Sequence, residues 1–203
     1  MIKSIIFDWG GVIAHGGSGK QISEKYEKMF SLPRGNVYPH LYKWYNKLKV
    51  SKINEEPFWS GFLGEVGIPL KEKERLKKMV LSSTDGNVDR RILDLIKQLK
   101  KNYFVGLLTN HVEFWFENER KKYDLDSIFD FIYTSYELKE KKPRKECFLS
   151  VFEKLPCFTP REYIFCDDNL GNVKTARKLG MNTHQYQSFS KLENFLLNMG
   201  IKY

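Results

Sequence analysis

Short strand-like runs alternate with helix-like runs along most of this chain, and that alternation constrains its fold more than any other feature. KSIIFD (3–8), YFVGLLT (103–109), FDFIYT (129–134), YIFCD (163–167) and THQY (183–186) are rich in β-branched and aromatic residues. Between them lie VDRRILDLIKQLKK, HVEFWFENERKKY, RKECFLSVFEKL and NLGNVKTARKLG, whose apolar residues recur at helical spacing. Strand alternating with helix predicts an α/β fold: a doubly wound parallel sheet with right-handed crossovers.

One interval breaks the rhythm. From His15 to Val88 no strand pattern occurs, and ISEKYEKMFSL, VYPHLYKWYNKLK, NEEPFWSGFLGEV and LKEKERLKKMVLSS read as helices separated by Pro, Gly or Asn. The expected organisation is an α/β core made of residues 1–14 and 89–203, with an inserted all-helical domain at 15–88. An insert directly after the first strand lies over the carboxyl edge of the sheet, where open α/β sheets bind ligands.

Composition narrows the function classes. At 41% hydrophobic and 15% aromatic residues the chain can build a core, which excludes a disordered protein. No long apolar window occurs, and the first apolar run is too short for a signal peptide, so a soluble, cytoplasmic protein without membrane partners is expected. Cys147, Cys157 and Cys166 form no CxxC pair, consistent with reduced thiols, and Cys147 and Cys166 sit in apolar patterns typical of core. The net charge is +9. The lysines are interleaved with glutamates, as in KEKERLKK and ENERKK, which describes solvated helix faces and not a nucleic-acid patch. A positive field of this kind favours collection of a small anion. The sequence leaves monomer and homodimer equally open.

Four elements end the core strands or follow them closely: Asp8 in FDWGGVI, Thr109–Asn110, Lys142 in EKKP, and Asp167–Asp168. In a parallel sheet they converge on one rim. Asp8 is then a candidate nucleophile, and Thr109 and Asn110 can donate hydrogen bonds to an anion. Lys142 can neutralise charge, and Asp8, Asp167 and Asp168 offer hard oxygens suited to Mg²⁺. Each piece also has an ordinary reading as a helix cap, a turn or a surface residue. The conjunction, in this order on these elements, favours phosphoryl chemistry dominated by positioning and charge.

FDWGGVI, LLTNH, ELKEKKP and FCDDNLGNVKTARKLGM resemble the four motifs of the haloacid dehalogenase-like (HAD) hydrolase superfamily. The insert stands where the C1-capped branch of that family carries its helical cap. The branch that is most similar holds sugar-phosphate phosphatases and the phosphatase domain of epoxide hydrolases. The resemblance implies a Mg²⁺-dependent phosphatase of small phosphorylated metabolites. It implies that Asp8 attacks phosphorus to form an aspartyl-phosphate and that Thr109, Asn110 and Lys142 hold the phosphate. It also implies that Asp168 binds the metal directly, that Asp167 ligates it or orients its water, and that the Gly10 carbonyl completes the ligands.

Many phosphatases of this family carry a second aspartate at the position of Gly10, which protonates the leaving group. Glycine keeps the carbonyl and removes the acid, a loss of roughly 10²–10⁴-fold for poor leaving groups. The expectation is activity that favours aryl, acyl or anomeric phosphates. A metal-independent 2-haloacid dehalogenase and a non-catalytic binding protein on the same scaffold are the competing readings. His15 is a weaker candidate proton donor. Lys139 stands where relatives often have glycine and Arg144 where they often have an acid, so the Lys142 loop departs from the family pattern at these two positions. The insert holds Tyr42, Trp44, Tyr45, Phe58 and Trp59, of which one or two are expected to line a pocket and the rest to build the insert's own core. HGGSGK (15–20) reads as the hinge into the insert, and its GGSGK lacks P-loop spacing.

Overall fold

The computed structural model describes residues 1–155 and 158–203. Cys157 lies outside the described residues. In chain order the elements are β1 (Ser4–Phe7), α1 (Gly19–Met29), α2 (Val37–Leu48), α3 (Glu55–Val66), α4 (Lys73–Leu81), α5 (Arg90–Leu99), β2 (Phe104–Thr109), α6 (Glu113–Lys122) and α7 (Leu125–Ile128). There follow β3 (Phe131–Thr134), α8 (Ser135–Leu138), α9 (Lys145–Lys154), β4 (Tyr163–Asp167), α10 (Leu170–Lys178), β5 (Asn182–Gln185) and α11 (Phe189–Asn198).

The strands pair in parallel in the order β3-β2-β1-β4-β5. The first strand is therefore central, with Ile5 in register with Val105 on one side and Ile164 on the other. Side chains alternate between the two faces, as strand geometry requires. Ile5, Phe7, Val105, Leu107, Ile164 and Cys166 enter one apolar cluster, with Ile92, Ile96 and Leu99 of α5 and Leu192 and Leu196 of α11. Ile6, Leu108, Tyr163 and Phe165 enter the opposite cluster, with Cys147, Phe148 and Val151 of α9 and Ala176 of α10. Each such large side chain contributes roughly 1.5–3 kcal/mol by leaving water. Cys147 and Cys166 are fully buried free thiols, and burial holds both above the ordinary thiol range.

Helix α11 was not among the sequence expectations. Its signals are Ser188, whose Oγ accepts the Lys191 N–H at the N-cap, and apolar Leu192 and Leu196 four residues apart. Strand β5 begins one residue earlier than expected. It ends at Gln185, with the Tyr186 N–H still donating to the Asp167 carbonyl of β4 at 3.0 Å. Among the described residues no helix is long and apolar enough to cross a membrane.

Residues 19–81 form helices, and their apolar side chains close on one another: Tyr26, Leu41, Phe58, Trp59, Phe62 and Leu76 are all buried in a third cluster. Val112 and Trp115, at the start of α6, extend that cluster into the α/β part. The two connecting strands meet at an isolated antiparallel bridge between Ala14 and Val88. The glycines before α1 serve close approach as well as turning. Gly17 lies at φ +71°, and a Cβ there would stand 2.4 Å from Ser83 Oγ and 2.7 Å from the Trp115 ring.

Candidate active site

Because β1 is flanked by β2 and β4, the residues that follow these three strands leave the sheet side by side. Asp8 is tied to the end of β4 by its own N–H, which donates to the Cys166 carbonyl at 2.9 Å. Its Oδ1 accepts the Trp9 N–H at 2.7 Å and lies 3.0 Å from Lys142 Nζ. The chain then makes one tight turn, with the Ile13 and Ala14 N–H groups both donating to the Trp9 carbonyl at 2.9 Å. Gly11, at φ +77°, passes under the Asp168 carboxylate: a Cβ there would stand 2.2 Å from Asp168 Oδ2. Only glycine allows that approach. At Gly10 a Cβ would meet nothing within 4 Å.

Lys142 is fully enclosed, and its ammonium has three acceptors for three protons: the Leu108 carbonyl at 2.6 Å, Asp167 Oδ2 at 2.7 Å and Asp8 Oδ1 at 3.0 Å. The loop that delivers it is held by Asn110, whose Nδ2 donates to the Lys142 carbonyl at 2.8 Å and whose Oδ1 accepts the Lys142 N–H at 2.9 Å. The side chain of Asn110 is thus occupied in positioning Lys142. Thr109 is buried at the end of β2. Lys139 does take the glycine-like conformation that its place in this loop suggests, at φ +56°, while Arg144 pairs with Glu140 on the surface at 3.0 Å.

Asp167 is also fully buried, and both its oxygens are in use. Oδ1 accepts the Asn169 N–H at 2.8 Å and Asn172 Nδ2 at 3.0 Å; Oδ2 accepts Asn172 Nδ2 at 2.9 Å and Lys142. Asn172 is a functional neighbour that the sequence reading did not single out, although its spacing within DDNLGN was in view. Asp168 is exposed and backed by Gln185, whose Nε2 donates to its carbonyl at 3.1 Å.

The electrostatics follow from burial. Asp8 is pushed up to about 7, chiefly by burial, with Asp167 adding to the rise and Lys142 opposing it. Asp168, exposed as a residue but with its carboxyl partly shielded, is raised by that partial burial and by Asp167. Burial pulls Lys142 down, but Asp8 and Asp167 outweigh it and hold its ammonium above the ordinary range. Three carboxylates therefore face one internal cation. One oxygen from each of Asp8, Asp167 and Asp168 lies within 4.8 Å of the others. Hard oxygens with uncompensated negative charge fit a small divalent cation such as Mg²⁺. Among the described residues no N–H donates to the Gly10 carbonyl, which leaves it available to such an ion.

A cleft of about 540 Å³ opens beside this rim, lined from the α/β side by Trp9, Gly10, Asn110, His111 and Asp168. Helix α2 lines the facing wall with Tyr38, Leu41, Tyr42, Tyr45, Asn46 and, at its C-cap, Lys49. Of the aromatic residues expected in the insert, Tyr42 and Tyr45 reach the cleft, Phe58 and Trp59 are buried in the helical cluster, and Trp44 packs against it. His15 also lines the cleft and stacks on Tyr186. His111 lies 3.4 Å from buried Glu119, and burial followed by the charge of Lys49 pulls its imidazole down to about 3.

The family model for haloacid dehalogenase-like hydrolases matches residues 70–185. A D-ribitol-5-phosphate phosphatase of Bacteroides thetaiotaomicron is 30% identical, covering 91% of this chain and 92% of its own. A HAD-family enzyme from the same organism superposes with a TM-score of 0.77 at 25% identity, over 95% of this chain and 98% of that one. A crystal structure of a HAD-family enzyme from that organism with magnesium and inorganic phosphate matches with a TM-score of 0.73 at 24% identity, over 95% and 99% of the two chains. The sheet order, the rim of carboxylates and these matches together make the chain a member of the haloacid dehalogenase-like hydrolases.

Proposed function

We propose that the protein is a Mg²⁺-dependent phosphatase of small organic phosphate monoesters, working through an aspartyl-phosphate on Asp8. The observation that carries this reading is the buried Asp8 carboxylate at the tip of the central strand, with Oδ1 fixed by the Trp9 N–H and Lys142. Oδ2 accepts no hydrogen bond among the described residues, so it is the oxygen free to attack. Asp8, Asp168 and the Gly10 carbonyl would hold the metal, with Asp167, already saturated by donors, fixing Lys142 and the rim around it. Bound there, Mg²⁺ supplies the positive charge that keeps the carboxylates ionised and offsets their repulsion of a phosphate dianion.

In the first step Asp8 Oδ2 forms a bond to phosphorus as the ester P–O bond breaks and the alcohol oxygen leaves with its electron pair. Thr109, Asn110 and Lys142 are assigned to the phosphate end of the site, Lys142 by the charge it places beside Asp8 and Asn110 by holding Lys142 in place. No side chain at position 10 can protonate the departing oxygen, so aryl, acyl and anomeric phosphates are favoured over simple alkyl phosphates. In the second step a water oxygen attacks phosphorus, its proton passes to solvent, and the bond to Asp8 breaks, which regenerates the carboxylate. The relative named for ribitol 5-phosphate supports a small phosphorylated metabolite as substrate. The separate apolar cluster of the helices supports treating 15–88 as a cap of the C1 type over a core of 1–14 and 89–203. A metal-free dehalogenase gains nothing from adjacent Asp167 and Asp168, which weighs against that alternative.

The test is hydrolysis of p-nitrophenyl phosphate with Mg²⁺, with EDTA, and with Asp8→Asn. Mg²⁺-dependent turnover that vanishes in Asp8→Asn is the expected result. Well-folded protein that binds Mg²⁺ but turns over no phosphate ester would sink the reading in favour of a binding protein.

A further inference from the structure

The site as built leaves an incoming phosphate short of positive charge. All three protons of the Lys142 ammonium are committed, and its side chain is fully enclosed behind Asp8. Three carboxylates against one ammonium and one divalent ion leave no surplus cation for a phosphate dianion. The cation that faces the cleft comes from the helical part.

Helix α2 presents one stripe to the cleft, at positions 38, 41, 42, 45, 46 and 49. Its N-terminal half is the open mouth, where Tyr38 is 39% and Tyr42 57% exposed. Its C-terminal end dips towards the core: Ser51 Oγ, just beyond it, donates to the Tyr136 carbonyl at 2.9 Å, and Lys141 Nζ donates to Asn46 Oδ1. Lys49 sits at that inner end. Among the described residues its ammonium is in no ion pair and no hydrogen bond, and it stands over the Tyr45 ring at 5.9 Å. Every other group that faces it acts at longer range: Lys141 repels it, Asp8 attracts it, and its own charge depresses His111.

We propose that Lys49 is a phosphate-binding cation supplied by the cap, its Nζ meeting a non-bridging oxygen of the phosphate held against Asp8. This rests on the phosphatase reading. Burial and Lys141 pull the lysine down to about 8, as befits an ammonium that lacks its counter-ion until an anion arrives. The arrangement also orients the substrate: phosphate at the Lys49 end of α2, the remainder along Tyr45 and Tyr42 towards the mouth. Charge neutralisation at the inner end then depends on the helical part being in place, so the same element that selects the substrate completes the phosphate site.

The proposal is tested by equilibrium titration of the Mg²⁺-loaded protein with inorganic phosphate, followed by tryptophan fluorescence since Trp9 and Trp115 line the cleft. Lys49→Met should weaken phosphate on the order of 10- to 100-fold, the value of one charge-assisted hydrogen bond, and Lys49→Arg should recover most of that loss. KM for p-nitrophenyl phosphate should rise with the phosphate dissociation constant. Neither probe carries a second anionic group, so an effect on both belongs to the phosphate itself. Unchanged phosphate affinity in Lys49→Met overturns the proposal, as does a defect seen only with substrates that carry an additional carboxylate. Lysine-dependent phosphate binding without any turnover would uphold this assignment while sinking the phosphatase reading; turnover with phosphate affinity indifferent to Lys49 would do the reverse.

Discussion

Two adjacent glycines govern the chemistry at the residue scale, for opposite reasons. Gly11 is compulsory, because its positive φ and the Asp168 carboxylate leave no room for a side chain. Gly10 is optional in steric terms, since a Cβ there meets open space. Gly10→Asp should therefore fold normally and add the proton donor that the site lacks. Turnover of an alkyl phosphate such as glycerol phosphate is expected to rise by on the order of 10²-fold, with a much smaller change for p-nitrophenyl phosphate. Equal gains on both substrates would show that leaving-group protonation was never limiting.

At the scale of elements, the loop after β3 carries the most consequential geometry, because it delivers Lys142. Helix α8 begins with a capping box between Thr134 and Glu137 and ends on Lys139 in the left-handed region. A lysine in that conformation costs on the order of 1 kcal/mol relative to glycine. Lys139 is exposed, so its side chain contributes little in return. Lys139→Gly is expected to stabilise the fold by about 0–0.6 kcal/mol once the looser unfolded chain is subtracted from the relieved strain, measured by urea denaturation, with activity unchanged. A destabilised variant would mean that the unfolded-state entropy outweighs the relieved strain.

For the whole molecule, the join between the helical part and the sheet is closed by a buried acid. Glu119 on α6 is 0% exposed and accepts a 2.6 Å hydrogen bond from Thr84 in the returning linker. Burial pushes its carboxyl up to about 7 from an ordinary value of 4.5, with Thr84, Trp9 and Trp115 offsetting part of the rise. His111 beside it is neutral and supplies no counter-charge. Between these two values the folded state binds the Glu119 proton more tightly than the unfolded chain does. Its contribution to stability is therefore greatest at the acid end of that window and declines as pH rises through it. Urea unfolding between pH 5 and pH 8 should reveal this component as a decline on the order of 1–3 kcal/mol that is absent in Glu119→Gln. An identical pH slope in the two proteins would exclude Glu119 as its source.

The fold was legible in the sequence because strand and helix periods are local: β4 matches YIFCD at Tyr163–Asp167 to the residue, and the helical run expected after the first strand holds α1 to α4. Helix α11 went unread because its apolar pattern stands late in the chain with no strand after it to mark its end. The chemical residues were also legible, since Asp8, Thr109–Asn110, Lys142 and Asp167–Asp168 each follow a strand, and a parallel sheet brings strand ends to one edge. What each does there was not. That Lys142 has its three protons committed and that Asn110 faces the backbone of Lys142 are contacts between residues 25 or more apart in the chain, and that Lys49 lines the cleft with no ion pair or hydrogen bond among the described residues depends on how α2 packs. Periodicity and motif spacing determined which elements form and which side chains stand at the rim. Packing of α2 against the sheet edge, and the order in which buried charges find partners, decided which of those side chains remain free to meet a substrate.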